Sequence, residues 1–227
     1  MDNPIFALVL PSLLIVPAMG LLSRVHSHSP IGQELRRKAL HLSVGLVSLS
    51  FPYLLVEPWM VITASLLVIA WMLAVRRTPA LNKRFGCVLH DAGRVSHGEL
   101  YFAVALGALL LLPHPNPVLY VVPVLVLTIA DAAAAVVGRA WPVGKLGGLA
   151  RGKTLSGSAA FMASAFLISF LFLDFYTSLA TLQILAIAFR IAVLTCIAEA
   201  ISSRGLDNLF VPVTAWLVLY SAIDGVW

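Results

Sequence analysis

The chain alternates between long apolar stretches and short polar segments. Hydropathy predicts eight apolar stretches, at 5–23, 39–56, 59–75, 99–112, 117–137, 158–173, 177–198 and 209–223. Since a helix needs about 20 mostly apolar residues to cross the hydrocarbon core of a bilayer, each stretch is predicted as a transmembrane helix. The runs are continuous and do not alternate with period two, which argues against an outer-membrane barrel. The pattern predicts an all-α, polytopic membrane bundle forming one domain over residues 1–227.

The basic residues fall in alternate polar segments. Segments 24–38, 76–98, 138–157 and 199–208 hold every Lys and Arg except Arg190, and the intervening turns hold none. By the positive-inside rule, these four segments face the cytoplasm and both termini lie on the non-cytoplasmic side. Arg190 is in the middle of a predicted span, so we expect it to face the bundle or a water-filled cavity. A multi-pass protein of a bacterial inner membrane is expected.

Composition agrees with a membrane protein. Of the 227 residues, 60% are hydrophobic and 11% are charged, whereas a soluble domain is about half apolar and about a quarter charged. Mean hydropathy is +0.97. These values exclude an ordinary soluble enzyme, a disordered chain and a disulfide scaffold. In so apolar a chain the net charge of +5 indicates membrane orientation and not a nucleic-acid partner. Oligomeric state is not readable.

Polar residues gather at the predicted cytoplasmic ends of the spans. In the first cluster, helical spacing puts Glu34, Arg37, Lys38 and His41 on one face, at the start of the span 39–56. A stop-transfer charge cluster would explain the basic residues, but it does not require an acid or an imidazole. In the second cluster, Asp131 is a lone carboxylate near the end of an apolar helix. A charge at membrane depth normally has a partner or a function.

The third and fourth clusters combine glycines, bases, hydroxyls and acids. Residues 144–158 mix Gly, Lys, Arg, Ser and Thr ahead of a predicted helix, an arrangement that suits an anion, although the spacing is not a Walker motif. Residues 199–212 place Glu199, Asp207 and Asn208 near the same membrane face. With Asp131 these acids could hold Mg²⁺, which favours oxygen ligands and substrate phosphates; a flexible basic loop and a polar turn are the simpler alternatives.

Together these clusters predict a cytoplasmic site for a metal–polyphosphate substrate, with an apolar partner arriving through the bilayer. Such a site needs to position the reacting groups and neutralise charge. A small transporter or lipid-binding membrane protein is the alternative of another class. That alternative predicts polar residues spread through the membrane midplane, whereas here all but Arg190 collect at one face.

The same segments resemble the polyprenol kinase family, which includes dolichol and phytol kinases. Arg37-Lys38-x-x-His41 is similar to an RKxxH signature, and Gly98-Glu99-Leu100-Tyr101 has a counterpart in the family. Asp131 to Gly138-Arg139, followed by Lys153-Thr154-x-x-Gly157-Ser158, resembles its nucleotide segment. Glu199 with Asp207-Asn208-x-x-x-Pro212 resembles its carboxy-terminal segment. The match covers most of the chain, in order.

The resemblance implies Mg²⁺-assisted, CTP-dependent phosphorylation of an isoprenoid alcohol such as phytol, farnesol, geranylgeraniol, a polyprenol or dolichol. It implies that the nucleotide is bound by Gly138, Arg139, Lys145, Lys153, Thr154, Ser156, Gly157, Ser158 and Asn208. It implies that Asp131, Asp207 and Glu199 hold Mg²⁺. Arg37, Lys38, His41 and Asp131 would line the reacting end. On chemical grounds His41 is a candidate general base, or it hydrogen-bonds a phosphate.

One departure and one alternative accompany this resemblance. The family has Glu where this chain has Ser156, and a hydroxyl cannot replace that charge. The nucleotide segment also resembles phosphatidate cytidylyltransferase, which would form a CDP-lipid and release pyrophosphate. The RKxxH and Gly-Glu-Leu-Tyr segments favour the kinase.

Overall fold

The computed structural model describes residues 4–24, 30–89, 97–112, 116–147 and 152–223. Its helices are α1 (Pro4–Arg24), α2 (Pro30–Ser48), α3 (Phe51–Leu54), α4 (Pro58–Arg77), α5 (Pro79–Leu89), α6 (Gly98–Leu111), α7 (Val118–Leu125), α8 (Asp131–Ala140), α9 (Leu155–Tyr176), α10 (Thr181–Ile201) and α11 (Asp207–Ile223). A π-helical turn, Val126–Ala130, joins α7 to α8. These ranges contain no β-strand, only an isolated bridge between Lys145 and Thr154.

Within the described ranges, five helical segments are long and apolar enough to cross a membrane. They are Pro4–Arg24, Pro58–Arg77, Val118–Ala140, Leu155–Tyr176 and Thr181–Ile201. Gly98–Leu111 and Asp207–Ile223 are apolar but shorter. The prediction of an all-helical fold is confirmed for the described residues, and several of their helices have the length and composition of membrane spans. The count of eight spans and the orientation of the termini stay predictions.

The stretch predicted as one span at 39–56 is divided in the structure. Helix α2 ends at Ser48, and the short α3 follows after a turn. The hydroxyl of Ser48 donates to the main-chain oxygen of Gly45 at 2.7 Å, and that of Ser50 donates to Val47 at 2.7 Å. These bonds satisfy carbonyls at the helix end, and Pro52, in the first turn of α3, has no N–H to continue the ladder.

Helix α5 lies within the segment 76–98, which hydropathy predicts as a polar connection between two spans. Its residue Phe85 is buried in a small apolar cluster with Met19, Leu40 and Val75, which come from α1, α2 and α4. Lys83 and Arg84 on the same helix are exposed. This basic segment is therefore folded against the bundle through one apolar face, as an amphipathic helix is expected to be.

The main core surrounds the segment Val118–Ala140. Its buried apolar residues, such as Leu127, pack with Phe161 on α9, Ile191 on α10 and Leu219 on α11. Arg190, by contrast, is exposed on α10 and lines neither cavity described below. The expectation that Arg190 faces the bundle is wrong, because Arg190 lies on the side of α10 that points away from these neighbours.

Candidate functional site

A buried ion pair joins α2 to the start of α8. The ammonium of Lys38 donates to the carboxylate of Asp131, and the two residues are 5% and 8% exposed. Asp131 follows the π-helical turn, whose wider bonding pattern occurs frequently at functional sites. Asp131, the lone carboxylate of the second cluster, therefore pairs with Lys38 of the first cluster, which lies on a helix distant in the chain.

His41 lies beside this pair. Its Nε2 is 3.2 Å from the main-chain oxygen of Leu127, in the π-helical turn, and 3.6 Å from Asp131 Oδ2. Its ring centroid lies 4.5 Å from that of Phe102 on α6. A carbonyl oxygen only accepts, so this hydrogen bond places the proton on Nε2 and leaves Nδ1 with the lone pair.

Glu34, on the first turns of α2, holds two guanidinium groups. Its Oε1 accepts from Arg37 Nη2 at 2.6 Å, and its Oε2 accepts from Arg139 Nη2 at 3.0 Å. Glu34 is 6% exposed. Burial alone raises the pKa of this carboxyl, but the hydrogen bond and charge of Arg37, with the charges of Lys38 and Arg139, lower it below its ordinary value overall. Helical spacing predicts Glu34 on this face of α2, but no role in the site was predicted for it.

Lys153 bridges the third and fourth clusters. Its Nζ is 2.7 Å from Glu199 Oε1 and 3.5 Å from Asp207 Oδ2, and it also donates to the main-chain oxygen of Glu199. The other carboxylate oxygen, Glu199 Oε2, is buried without a partner in the described part of the chain. An unsatisfied buried oxygen is rare, which makes this atom a suitable ligand for a group absent from the structure.

The amino-terminal end of α9 packs closely on α8. Thr154 caps α9 through its side-chain oxygen, which accepts from Gly157 N at 3.1 Å. A Cβ atom on Gly138 would lie 2.8 Å from Thr154 Oγ1, and one on Gly157 would lie 2.9 Å from the main-chain oxygen of Ala134. The two glycines are therefore needed for the approach of the two helices. The Ser156 hydroxyl is 2.5 Å from the main-chain oxygen of Trp141, which accepts from it, and 3.2 Å from Thr154 Oγ1.

These groups surround a polar cleft of about 1400 Å³. Of the residues predicted for the site, those lining it are Arg37, Lys38, Asp131, Gly138, Arg139, Lys145, Lys153, Thr154, Gly157, Ser158, Glu199, Asp207 and Asn208. His41 and Ser156 do not line it. Residues that were not predicted for the site also contribute, among them Glu34 and the turn Ser202–Gly205. In that turn Arg204 and Gly205 have φ values of 54° and 89°, a feature that only the backbone reveals.

A second, apolar cavity of about 370 Å³ lies between α1, α2, α4 and α6. His41 lines this cavity, together with Leu40, Phe102, Ala103 and other apolar residues. Arg37 and Asn208 line both the apolar cavity and the polar cleft. The two cavities therefore meet beside the Lys38–Asp131 pair.

A second group of polar contacts lies at the same end of the apolar cavity. Arg76 Nε, at the end of α4, donates to Glu99 Oε1 on α6 at 2.7 Å, and Arg76 Nη1 is 2.8 Å from His97 Nδ1. The main-chain N–H of His97 donates to the main-chain oxygen of Arg204 at 3.1 Å. His97, the residue before the predicted Gly-Glu-Leu-Tyr segment, thus joins the start of α6 to the turn that lines the polar cleft.

The described residues do not form a ready-made metal site. No group of three or more His, Cys, Asp or Glu side chains within the described ranges is placed to hold a metal ion. The three acids predicted for Mg²⁺ are divided between Lys38, which pairs with Asp131, and Lys153, which pairs with Glu199 and Asp207. Mg²⁺ commonly uses only one or two carboxylates together with substrate phosphates. The unpaired oxygen Glu199 Oε2 is suited to be one of these carboxylate ligands.

Two curated proteins are similar to this chain over most of its length. A phytol kinase of Synechocystis sp. is 28% identical over 209 residues, covering 91% of this chain and 86% of that protein. A probable phytol kinase 3, chloroplastic, of Glycine max is 25% identical, covering 95% of this chain and 72% of that protein. No family model and no solved structure matches the chain. The two relatives confirm the resemblance to the polyprenol kinase family.

Proposed function

We propose that this chain, similar over most of its length to phytol kinases, is a CTP-dependent kinase of a membrane isoprenoid alcohol. The observation that carries the proposal is the meeting of a polar cleft and an apolar cavity at Arg37 and Asn208. Phosphoryl transfer between a charged nucleotide and a lipid needs two such compartments, joined where the reacting atoms meet. A phosphate-binding site without an apolar compartment would suit a soluble acceptor instead.

The polar cleft holds the nucleotide in this proposal. Lys145, Lys153 and Arg139 supply positive charge to phosphate oxygens. The amino-terminal end of α9, which Thr154 caps, adds a favourable helix dipole. Mg²⁺ on the phosphates would be held by Glu199 and Asp207, or by Asp131, and would supply further charge neutralisation. Selection of CTP over other nucleotides is carried over from the family resemblance.

The apolar cavity holds the alcohol with its hydroxyl beside His41. The alcohol oxygen attacks the γ-phosphorus in line, the bond from that phosphorus to the β-phosphate oxygen breaks, and CDP leaves. His41 Nδ1 accepts the hydroxyl proton, because Nε2–H is engaged by Leu127. Lys38 and Arg37 stabilise the charge on the transferred group. The products are the lipid monophosphate and CDP.

The active site faces the cytoplasm in this proposal, in a bacterial inner membrane. The basic segments that line the cleft belong to the side that the positive-inside rule assigns to the cytoplasm. A Lys145→Cys variant in intact cells tests this orientation. An impermeant thiol reagent added outside should leave that cysteine unlabelled, and labelling without permeabilisation would contradict the orientation.

The activity is tested with purified protein, Mg²⁺, isoprenoid alcohols, and CTP labelled at either the γ- or the α-phosphate. We expect γ-label in a lipid monophosphate, together with CDP. Label from the α-phosphate in the lipid, with release of pyrophosphate, would instead identify a cytidylyltransferase. Absence of both products would leave the transporter or lipid-binding alternative. Asp131→Asn should abolish transfer, whereas Asp174→Asn, at the exposed far end of α9, is the matched control.

A further inference from the structure

The apolar cavity is closed at the end away from the polar cleft. Leu8, Phe51, Leu55 and Leu110 line this end. Leu55 is 5% exposed and belongs to a packed apolar cluster with Ala7, Met60 and Val61. Since protein interiors pack at the density of organic crystals, such a cluster leaves no passage for a chain. A lipid chain in the cavity must end there or bend away.

Two helices give the same depth for this cavity. On α6 its lining runs from Gly98, at the polar end, to Leu110, a length of about 18 Å along the helix axis. On α1 it runs from Met19 to Leu8, about 16 Å. This is a little more than half of the roughly 30 Å hydrocarbon core of a bilayer.

The cavity is also narrow. Its volume of about 370 Å³ lies at the small end of the range of about 300–1000 Å³ found for ligand pockets. A single chain fits such a space better than the two chains of diacylglycerol. Val16 and Leu67 line the cavity from α1 and α4 and are 45% and 60% exposed, so this wall of the cavity lies at the surface of the helix bundle.

We propose that this closed cavity measures the chain length of the alcohol, and that Ala103 and Leu110 set the length accepted. Ala103 is 7% exposed and lines the cavity about 8 Å from Gly98 along α6. A larger side chain there occupies the path of the lipid chain. Leu110 lies at the closed end, where a smaller side chain adds depth. The inference rests on the proposed function, because it concerns the acceptor of that reaction.

The test compares farnesol, phytol and a dolichol-class polyprenol as acceptors for the wild type and two variants. Each methylene kept out of an apolar site costs about fourfold in affinity. Ala103→Phe, which excludes several methylenes, should therefore lower kcat/KM for phytol at least about tenfold relative to farnesol. Leu110→Ala should shift preference the other way, toward the longer chain. The wild type should use the polyprenol poorly.

Two matched controls lie on the same helix. Val104 and Leu111 are 43% and 49% exposed and line neither cavity. Val104→Phe and Leu111→Ala should keep the wild-type ratio of farnesol to phytol. Thermal unfolding in detergent checks that each variant is folded, and Leu110→Ala decides the question if Ala103→Phe does not fold.

A second readout separates this inference from the proposed function. Alcohols retained by the purified protein after detergent exchange, identified by mass spectrometry, report chain length without turnover. If the wild type transfers no phosphate but retains phytol, and the Ala103→Phe variant does not retain it, the kinase proposal fails and the length inference stands. Equal use or retention of all chain lengths by the wild type, or an unchanged profile in folded Ala103→Phe and Leu110→Ala, would overturn the inference.

Discussion

The Lys38–Asp131 pair allows stability and chemistry to be separated. Both residues are almost fully buried, at 5% and 8% exposure, so each charge depends on the other for its compensation. Removing one partner of a buried pair costs about 3–5 kcal/mol, because an unpaired buried charge remains. Replacing both with apolar residues of similar size is often neutral. Lys38→Met and Asp131→Leu should each destabilise the protein, and the double variant should recover.

The size of the effect can be measured by thermal unfolding in detergent. For a chain of this length, about 1 kcal/mol corresponds to about 2–4 °C in Tm. Each single variant should therefore lose about 6–20 °C, and the double variant should unfold near the wild-type temperature. Asp174→Asn, an exposed carboxylate, serves as the control and should change Tm little.

Activity then distinguishes a structural pair from a catalytic one. If Lys38 and Asp131 act on the phosphates, the double variant stays inactive although its stability has returned. A double variant that is both stable and active would refute the chemical role of the pair. Single variants no less stable than Asp174→Asn would refute the ion pair as a source of stability.

Three further predictions concern the polar cleft and its walls. In steady-state assays, Lys153→Met should raise the KM for CTP by about 10-fold or more, since a hydrogen bond to a charged group contributes about 1.5–3 kcal/mol. The KM for the alcohol should stay unchanged. Gly157→Val should lower Tm, because even its Cβ would lie 2.9 Å from the main-chain oxygen of Ala134 and overpacking costs about 1–3 kcal/mol. The lowered pKa of Glu34 contributes stability that is present above its ordinary value of 4.5 and is lost as pH falls through its folded-state pKa. In a series of Tm measurements against pH, Glu34→Gln should therefore reduce the fall of Tm at acid pH. An unchanged fall would contradict a stabilising role for the contacts of Glu34 with Arg37 and Arg139.

Much of the site could be predicted from sequence because its residue types are rare in membrane helices. A carboxylate such as Asp131 is costly at membrane depth, so its presence in an apolar run is informative by itself. The same reasoning gave the wrong environment for Arg190, which is exposed on α10. A helical sequence shows the depth of a charge in the membrane, but not which side of the helix faces the bundle.

Some features of the site have no sequence signal. The π-helical turn Val126–Ala130, which brings the carbonyl of Leu127 to His41, consists of ordinary apolar residues. Ser156 lies within a glycine- and base-rich segment, yet it does not line the cleft, and its hydroxyl donates to the main-chain oxygen of Trp141. Side-chain direction within a helix or turn depends on the partners that pack around it, and these come from distant parts of the chain.

The sequence alone determined the membrane-helical class and the clustering of bases, acids and glycines at the ends of the helices, because burial in lipid restricts composition strongly. Only the tertiary structure decided which of these groups pair: Lys38 with Asp131, Glu34 with two arginines, and Lys153 with two acids. It also decided that an apolar cavity meets the polar cleft at Arg37 and Asn208. Cavities lie between helices, and generic Leu, Val and Ala line them, so their shape depends on packing and not on local pattern.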